Sequence, residues 1–350
     1  MVVSEESPLV TVTTYGVAGS SARVRIHDWL TFLKIAAVHH DYLGEGENGL
    51  QTIVRGLPRL VRAESKLRRL TRDISESTLF MSREASPFSN GRLESALLWA
   101  ARTSIYDFDD AVFDTYPRGI KRLWSKAKVW SAAVRSADVV IAGNDYLAEH
   151  AAKFRDDVVV IPSCVNPADY VPKSEYALAE VPTLVWMGSP ATERYLQQIT
   201  EPLLAVHSDR NIRLLVVSAG SKPLGELDQI VERVNWSAES FGSILAQADV
   251  GIMPLDNSLY ARGKCAYKLL QYGAAGLPAV GSPVGANRTV LEAMGGHCAT
   301  STEEWEQSLR DLLTSSNADR AELGRRARDV ISKKYSFGHW APIWRSATGV

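Results

Sequence analysis

Residues 248–287 read ADVGIMPLDNSLYARGKCAYKLLQYGAAGLPAVGSPVGAN. The order is strand, loop, helix, turn, strand. Residues 249–255 form a short apolar run broken by Pro254 and ended by Asp256. Residues 257–263 are polar and turn-rich. Residues 264–275 carry helical spacing, with Leu269, Leu270 and Tyr272 apolar and Gly276 placed as a C-cap. Pro278 to Val280 restarts an extended segment, and residues 281–285 make another turn. A strand feeding a glycine-preceded helix offers N–H groups and a positive dipole end, which suits phosphate. On one helix Lys264 and Lys268 lie a turn apart and can face the same anion.

This order is similar to the donor-binding segment of GT-B glycosyltransferases, in particular the large retaining family called family four. That family carries Glu-x7-Glu followed by Ala-x-Gly-x-Pro-Val-Val. Here Ala274-Ala-Gly-Leu-Pro-Ala-Val280 matches the tail, but Gly263 and Gln271 stand at the two acidic positions. A subgroup with Gly-Lys before the helix and Lys-Leu-Leu-Gln-Tyr inside it is the nearer resemblance. The missing acids bear on the sugar contacts more than on the fold.

The chain has 350 residues, enough for two α/β domains with separate cores. Its 45% apolar and 23% charged content is that of a soluble globular protein. A net charge of −1 argues against a general nucleic-acid binder. Cys164, Cys265 and Cys298 are scattered without a CxxC pair, which favours a reducing compartment and no zinc site. No apolar run approaches the ~18 residues of a membrane span. Residues 1–8 have neither a basic nor a long apolar segment of the signal-peptide kind, so a cytoplasmic location without membrane association is expected.

Residues 9–15 read as the first strand, followed by a Gly/Ser turn through Gly19, Ser20 and Ser21 and a helix over residues 22–38. GxGxxG is absent, yet the turn after strand one is where an open α/β sheet holds a ligand loop. A plain tight turn explains the same residues. Ser21-x-Arg23-x-Arg25 resembles the Ser-Ser-Arg-x-Arg opening of many sugar transferases of this class. Residues 51–72 form a basic amphipathic helix with Arg55, Arg59, Arg62, Lys66, Arg68, Arg69 and Arg72. Such helices dock on anionic lipid in membrane-associated relatives; a solvated face is the simpler reading.

A strand entering Asp107, Asp109 and Asp110 puts carboxylates on the ligand edge of the sheet. Three chemistries fit: a metal-binding Asp-x-Asp, a phosphatase nucleophile loop using Asp107 and Asp109, or an acceptor-side motif, since the GT-B subgroup shows Tyr-Asp-x-Asp-Asp here. The phosphatase loop normally opens its domain, which favours the transferase reading; Asp110 also suits a helix N-cap. Residues 117–137 read as a helix, residues 138–142 as a strand, and Asn144 caps the next helix. This βαβ rhythm means right-handed crossovers and a mostly parallel sheet.

Residues 171–181 break all periodicity and mark an interdomain linker. Then Trp186-Met-Gly-Ser-Pro-Ala-Thr-Glu-Arg-Tyr-Leu196 resembles the first turn of the donor domain, Trp-x-Gly-Ser-x-x-Thr-x-x-Tyr-Leu, with a helix over residues 191–206. A strand over residues 234–236 places Val234 and Trp236 by the donor base, with a core tryptophan as the plain reading.

Taken with the resemblance, the expected fold is α/β of the GT-B kind: two Rossmann-like domains facing across a cleft, residues 1–172 on the acceptor side and 173–334 on the donor side. Residues 335–350 cross back onto the first domain. The resemblance implies a retaining, metal-independent transferase that needs no cofactor. It moves a sugar from a GDP-, UDP- or dTDP-linked donor to a small polar acceptor, with antibiotic or other secondary-metabolite biosynthesis as the setting. Lys264, Lys268 and Arg194 would stabilise the diphosphate with N–H groups at Gly188, Ser189, Gly263 and Cys265. Gln271 would hold the ribose. Asp107 would contact the reacting sugar, and Gly19, Ser20, Ser21, Arg23, Asp109 and Asp110 the acceptor. A catalytically inactive nucleotide- or sugar-binding subunit of the same fold is the alternative of another class.

Overall fold

A computed structural model describes residues 8–43, 57–115, 124–235, 237 and 241–350. The chain divides into two compact units, one holding residues up to Ser163 together with Ala341–Val350, the other Cys164–Trp340. The sequence-based divisions at 172/173 and 334/335 therefore shift. The aperiodic stretch after Tyr170 is fastened to the second unit. The Lys173 N–H donates to the Ala275 carbonyl at 2.8 Å, and Tyr176 Oη donates to the Gly276 carbonyl at 2.8 Å.

The first unit is built on six strands: β1 (Leu9–Thr13), β2 (Ala37–Asp41), β3 (Thr78–Ser82), β4 (Thr103–Phe108), β5 (Val139–Ala142) and β6 (Val158–Val160). They are all parallel, in the order β2-β1-β3-β4-β5-β6. β1 and β3 are buried at every residue, as expected for a parallel sheet covered on both faces. The register pairs Thr13 with Asp41 and Ser82 with Asp107, so polar residues gather at the carboxyl ends of the strands.

The helix expected over residues 22–38 stops early. It runs from Ser20 to Leu33 with a π-turn over Arg23–His27, and Lys34 closes it at φ 56°. The left-handed stop carries no glycine, so the pattern hides it. The edge strand β2, AVHHD, follows; it is half exposed and has two histidines, which removes the apolar signature of a strand. Helix Leu57–Asp73 buries Leu60, Leu67 and Leu70 and exposes Arg59, Arg62, Lys66, Arg68, Arg69 and Arg72. Residues 51–56 of the predicted basic helix lie outside the described residues. Residues 116–123 do too, and the helix expected over 117–137 is described as Lys126–Ser136.

The second unit holds β7 (Thr183–Met187), β8 (Arg213–Val217), β9 (Val231–Val234), β10 (Val250–Met253), β11 (Ala279–Gly281) and β12 (His297–Cys298). They too are all parallel, in the order β12-β11-β10-β7-β8-β9. The order reverses beside β7, which is where an open sheet leaves a crevice. In place of one helix over 191–206 there are a 3₁₀ stretch, Pro190–Ile199, and a helix, Thr200–Arg210.

The last helix, Phe337–Thr348, delivers Trp344 into the first unit's core. Its ring stacks on Trp29 at 5.4 Å and on Phe80 at 5.9 Å, and it is 1% exposed. Among the described residues no helix is long and apolar enough to cross a membrane.

Candidate functional site

In the second unit the organising stretch leaves β10 and makes a short helix, Leu259–Arg262. Its N-cap Ser258 accepts from the Ala261 N–H at 3.2 Å. The chain then turns at Ala266, which takes φ 54°, and only there does helix Tyr267–Ala275 begin. Gly276 closes it at φ 73°. The sequence had placed Lys264 and Lys268 on one helix. The structure instead puts Lys264 before the helix, its Nζ 5.1 Å from the Tyr260 ring centroid. Lys268 lies in the first turn, its Nζ 5.1 Å from the Trp186 ring. Gly263 is in the ordinary right-handed region, so the left-handed residue of this turn is Ala266.

Lys268 reaches the turn after β7. A Cβ added to Gly188 would fall 2.5 Å from the Trp186 ring and 2.9 Å from Lys268 Cε. Only glycine lets the strand end, the indole and the lysine stem share this space. The Gly188 N–H donates to the Val217 carbonyl at 3.0 Å, and the Ser189 carbonyl accepts from the Thr192 N–H at 2.9 Å. Arg194 Nη2 donates to Tyr195 Oη at 3.2 Å, and the guanidinium lies 4.9 Å from that ring. The bond to Tyr195 pushes the Arg194 pKa up, and Asp256 on the loop after β10 adds to the shift. Thus Gly188, Ser189 and Lys268 lie at the carboxyl end of β7, Arg194 follows on the 3₁₀ stretch Pro190–Ile199, and Lys264 is held on Tyr260 of the short helix Leu259–Arg262. The N–H groups of Gly188 and Gly263, expected to face phosphate, donate instead to the Val217 and Tyr260 carbonyls.

Other predicted donor residues are placed less tellingly. Gln271 is buried in the helix at 5% exposure. Cys265 is half-buried, its Sγ 3.9 Å from the Gly263 carbonyl. Val234 ends β9, its carbonyl accepting from the Ser218 N–H. Trp236 lies outside the described residues. Tyr260 and Trp186, the seats of the two lysines, are not among the residues expected from the sequence; an aromatic two residues before the Gly-Ser turn was the available signal.

In the first unit, Asp107 is clamped. Arg25 Nε donates to its Oδ1 at 3.0 Å and Nη2 to its Oδ2 at 2.6 Å, with the two side chains 1% and 2% exposed. Burial pushes the Asp107 pKa up, and Arg25 opposes it. A carboxylate so enclosed reaches no substrate. The contact role expected for Asp107 gives way to a positioning one, and the phosphatase reading loses its nucleophile. Among the described residues no group of three or more His, Cys, Asp or Glu is arranged to hold a metal.

Arg83, absent from the sequence-based site, links the rest. It leaves β3 at φ 64°, a costly conformation for a residue with a Cβ. Its N–H donates to the Asp107 carbonyl at 3.0 Å. Its Nη1 lies 3.2 Å from both Asp110 Oδ2 and Ser21 Oγ. Asp109, half-buried beside Asp110, is pushed up to about 6, first by burial and then by the charge of Asp110. Gly19 caps the helical run, its N–H donating to the Gly16 carbonyl; Ser20 is exposed and Arg23 half-buried at its start. Ser21, Asp107 and Asp110 thus meet through two arginines, one of them unforeseen and the other, Arg25, quoted only as part of a motif.

Residues 181–315 match the family described as "Glycosyl transferases group 1". No curated protein matches the chain. Among solved structures, Anabaena HepE in complex with UDP and glucose superposes with a TM-score of 0.71 at 12% identity, covering 99% of this chain and 100% of that one. WaaG, a glycosyltransferase involved in lipopolysaccharide biosynthesis, gives 0.68 at 16% identity over 98% and 100%. TarM gives 0.60 at 13% identity over 82% of this chain, which spans 57% of TarM's length. Two all-parallel six-stranded sheets and the superpositions lead to one assignment: the chain has the GT-B fold, and residues 181–315 of its second unit are similar to the group 1 glycosyltransferases.

Proposed function

We propose that the protein transfers a sugar from a nucleotide diphosphate sugar to a small polar acceptor with retention of anomeric configuration. The observation that carries this reading is the seating of Lys268 against Gly188 at the carboxyl edge of β7, with Arg194 on the 3₁₀ stretch that follows. A departing diphosphate needs positive charge placed before the reaction starts. Lys268, Arg194 and Lys264 would supply it, so no metal or other cofactor is required. The bond between the anomeric carbon and the phosphate oxygen breaks as the acceptor's oxygen or sulfur bonds to that carbon. The acceptor's proton passes to the departing phosphate on the same face. In the first unit Asp109, Asp110 and Ser21 would meet the acceptor, held by Arg83 and the Arg25–Asp107 pair. Uracil as the base is supported by the likeness to HepE, whose structure is a complex with UDP and glucose. A secondary-metabolite acceptor and a cytoplasmic setting rest on the resemblance and composition alone.

The test is a thermal-shift screen of UDP-, GDP- and dTDP-sugars, since a ligand bound to the native state raises stability by mass action. Proton NMR of the fresh product with the best donor, in EDTA, follows. An α-linked donor should give an α-linked product. An inverted product, or activity that returns only with magnesium, would overturn the mechanism.

A further inference from the structure

The loop leaving β3 is pinned from below and presents an aromatic ring above. Glu94, fully buried in helix Arg92–Ala100, accepts from the Ala85 N–H at 3.0 Å through Oε1 and from Ser89 Oγ through Oε2. Ser86 Oγ donates to Glu64 and accepts from the Phe88 N–H at 3.1 Å. The loop backbone is thereby fixed, yet Phe88 remains 37% exposed.

Two rings flank it. Tyr42, the residue after β2, lies 6.4 Å away at 62°, and Trp124, between β4 and helix Lys126–Ser136, lies 6.0 Å away at 78°. Trp124 is also 37% exposed. Tyr42 and the loop of Phe88 leave the carboxyl ends of β2 and β3, the edge where this fold class meets ligands, and Trp124 joins them from just before helix Lys126–Ser136. Charged side chains lie near both in sequence and pair with each other: Lys126, just after Trp124, lies 2.9 Å from the buried Glu84 of the loop that carries Phe88, and the Glu84 carbonyl accepts from Thr14 Oγ1 at 2.6 Å. The faces of Phe88 and Trp124 carry negative quadrupole charge, which attracts polarised C–H groups as well as burying apolar area.

We propose that Phe88 and Trp124 form a stacking subsite for a six-membered polyol ring, pyranose or cyclitol. Such a ring offers C–H groups to an aromatic face and hydroxyls to charged side chains such as Lys126. Calling that ring the acceptor rests on the transferase reading; the stacking itself rests on the ring geometry.

The test is saturation-transfer NMR on the full chain with methyl α-glucopyranoside and methyl β-galactopyranoside. Ring protons should be saturated by the wild type. Trp124→Leu and Phe88→Leu should each weaken binding roughly 3- to 10-fold, while Trp124→Phe retains most of it. Stabilisation by nucleotide diphosphate should be unchanged in all three. No saturation on the wild type, or leucine variants equal to it, would overturn the subsite. If Trp124→Leu does not fold, the Phe88→Leu and Trp124→Phe pair decides by the same criterion. Absence of turnover with every nucleotide sugar, with saturation still lost in the leucine variants, would sink the transferase reading and leave the subsite standing. Turnover with an unchanged acceptor KM in Trp124→Leu would do the reverse.

Discussion

The carboxyl edges of the two sheets handle charge in different ways. In the first unit cations are matched to carboxylates: Arg25 to Asp107, Arg83 to Asp110, Lys126 to Glu84. In the second unit Lys264, Lys268 and Arg194 rest on Tyr260, Trp186 and Tyr195. A carboxylate partner cancels a cation's charge, and an aromatic face holds a cation through its quadrupole. The proposed function assigns a hydroxyl-bearing acceptor to the first edge and the diphosphate of the donor to the second. Acidic residues that look like ligands in the sequence turn out to be, in part, the counter-ions of buried arginines.

The sharpest break of this contrast is Asp107→Ala. It leaves the Arg25 guanidinium buried without its partner and should cost about 3–5 kcal/mol of first-unit stability. Urea unfolding would measure it, and Arg25→Met combined with Asp107→Leu should recover much of the loss. Equal destabilisation by the double variant would mean the pair is not acting as a pair. Trp344→Ala should cost about 3–4 kcal/mol in the same assay, because a large ring stacked between Trp29 and Phe80 is removed. Unchanged proteolysis of the first unit in that variant would show that the last helix is dispensable to it.

On the second edge, Lys268→Ala should weaken nucleotide diphosphate binding by about 1.5–3 kcal/mol and leave nucleoside binding unchanged, as read by calorimetry. Equal losses for both ligands would make the lysine structural.

The smallest effect concerns Asp109. Its folded pKa of about 6 lies above the unfolded value of 3.8, so the folded state binds the extra proton between them. The stability this contributes is fully present below the unfolded value and is lost as pH rises through about 6. Asp109→Asn should therefore raise the melting temperature relative to wild type above pH 6, with the difference closing towards pH 4. A difference independent of pH would show that Asp109 does not titrate there.

The sequence by itself determined the two α/β units and the contiguous donor motifs. Residues 183–196 and 248–287 each span one strand, its turn and the following helical segment, so local periodicity and glycine placement record them. It did not reveal β2, whose edge position relaxes the need for apolar residues, nor the helix stop at Lys34, whose left-handed backbone carries no glycine. Only the tertiary structure decided the chemistry of the first edge. Arg25 and Asp107 are 82 positions apart, Arg83 and Ser21 62, and Phe88 meets Tyr42 and Trp124 from separate loops. Parallel strands joined by crossover helices place distant residues at one sheet edge, and no periodicity along the chain encodes which of them will pair.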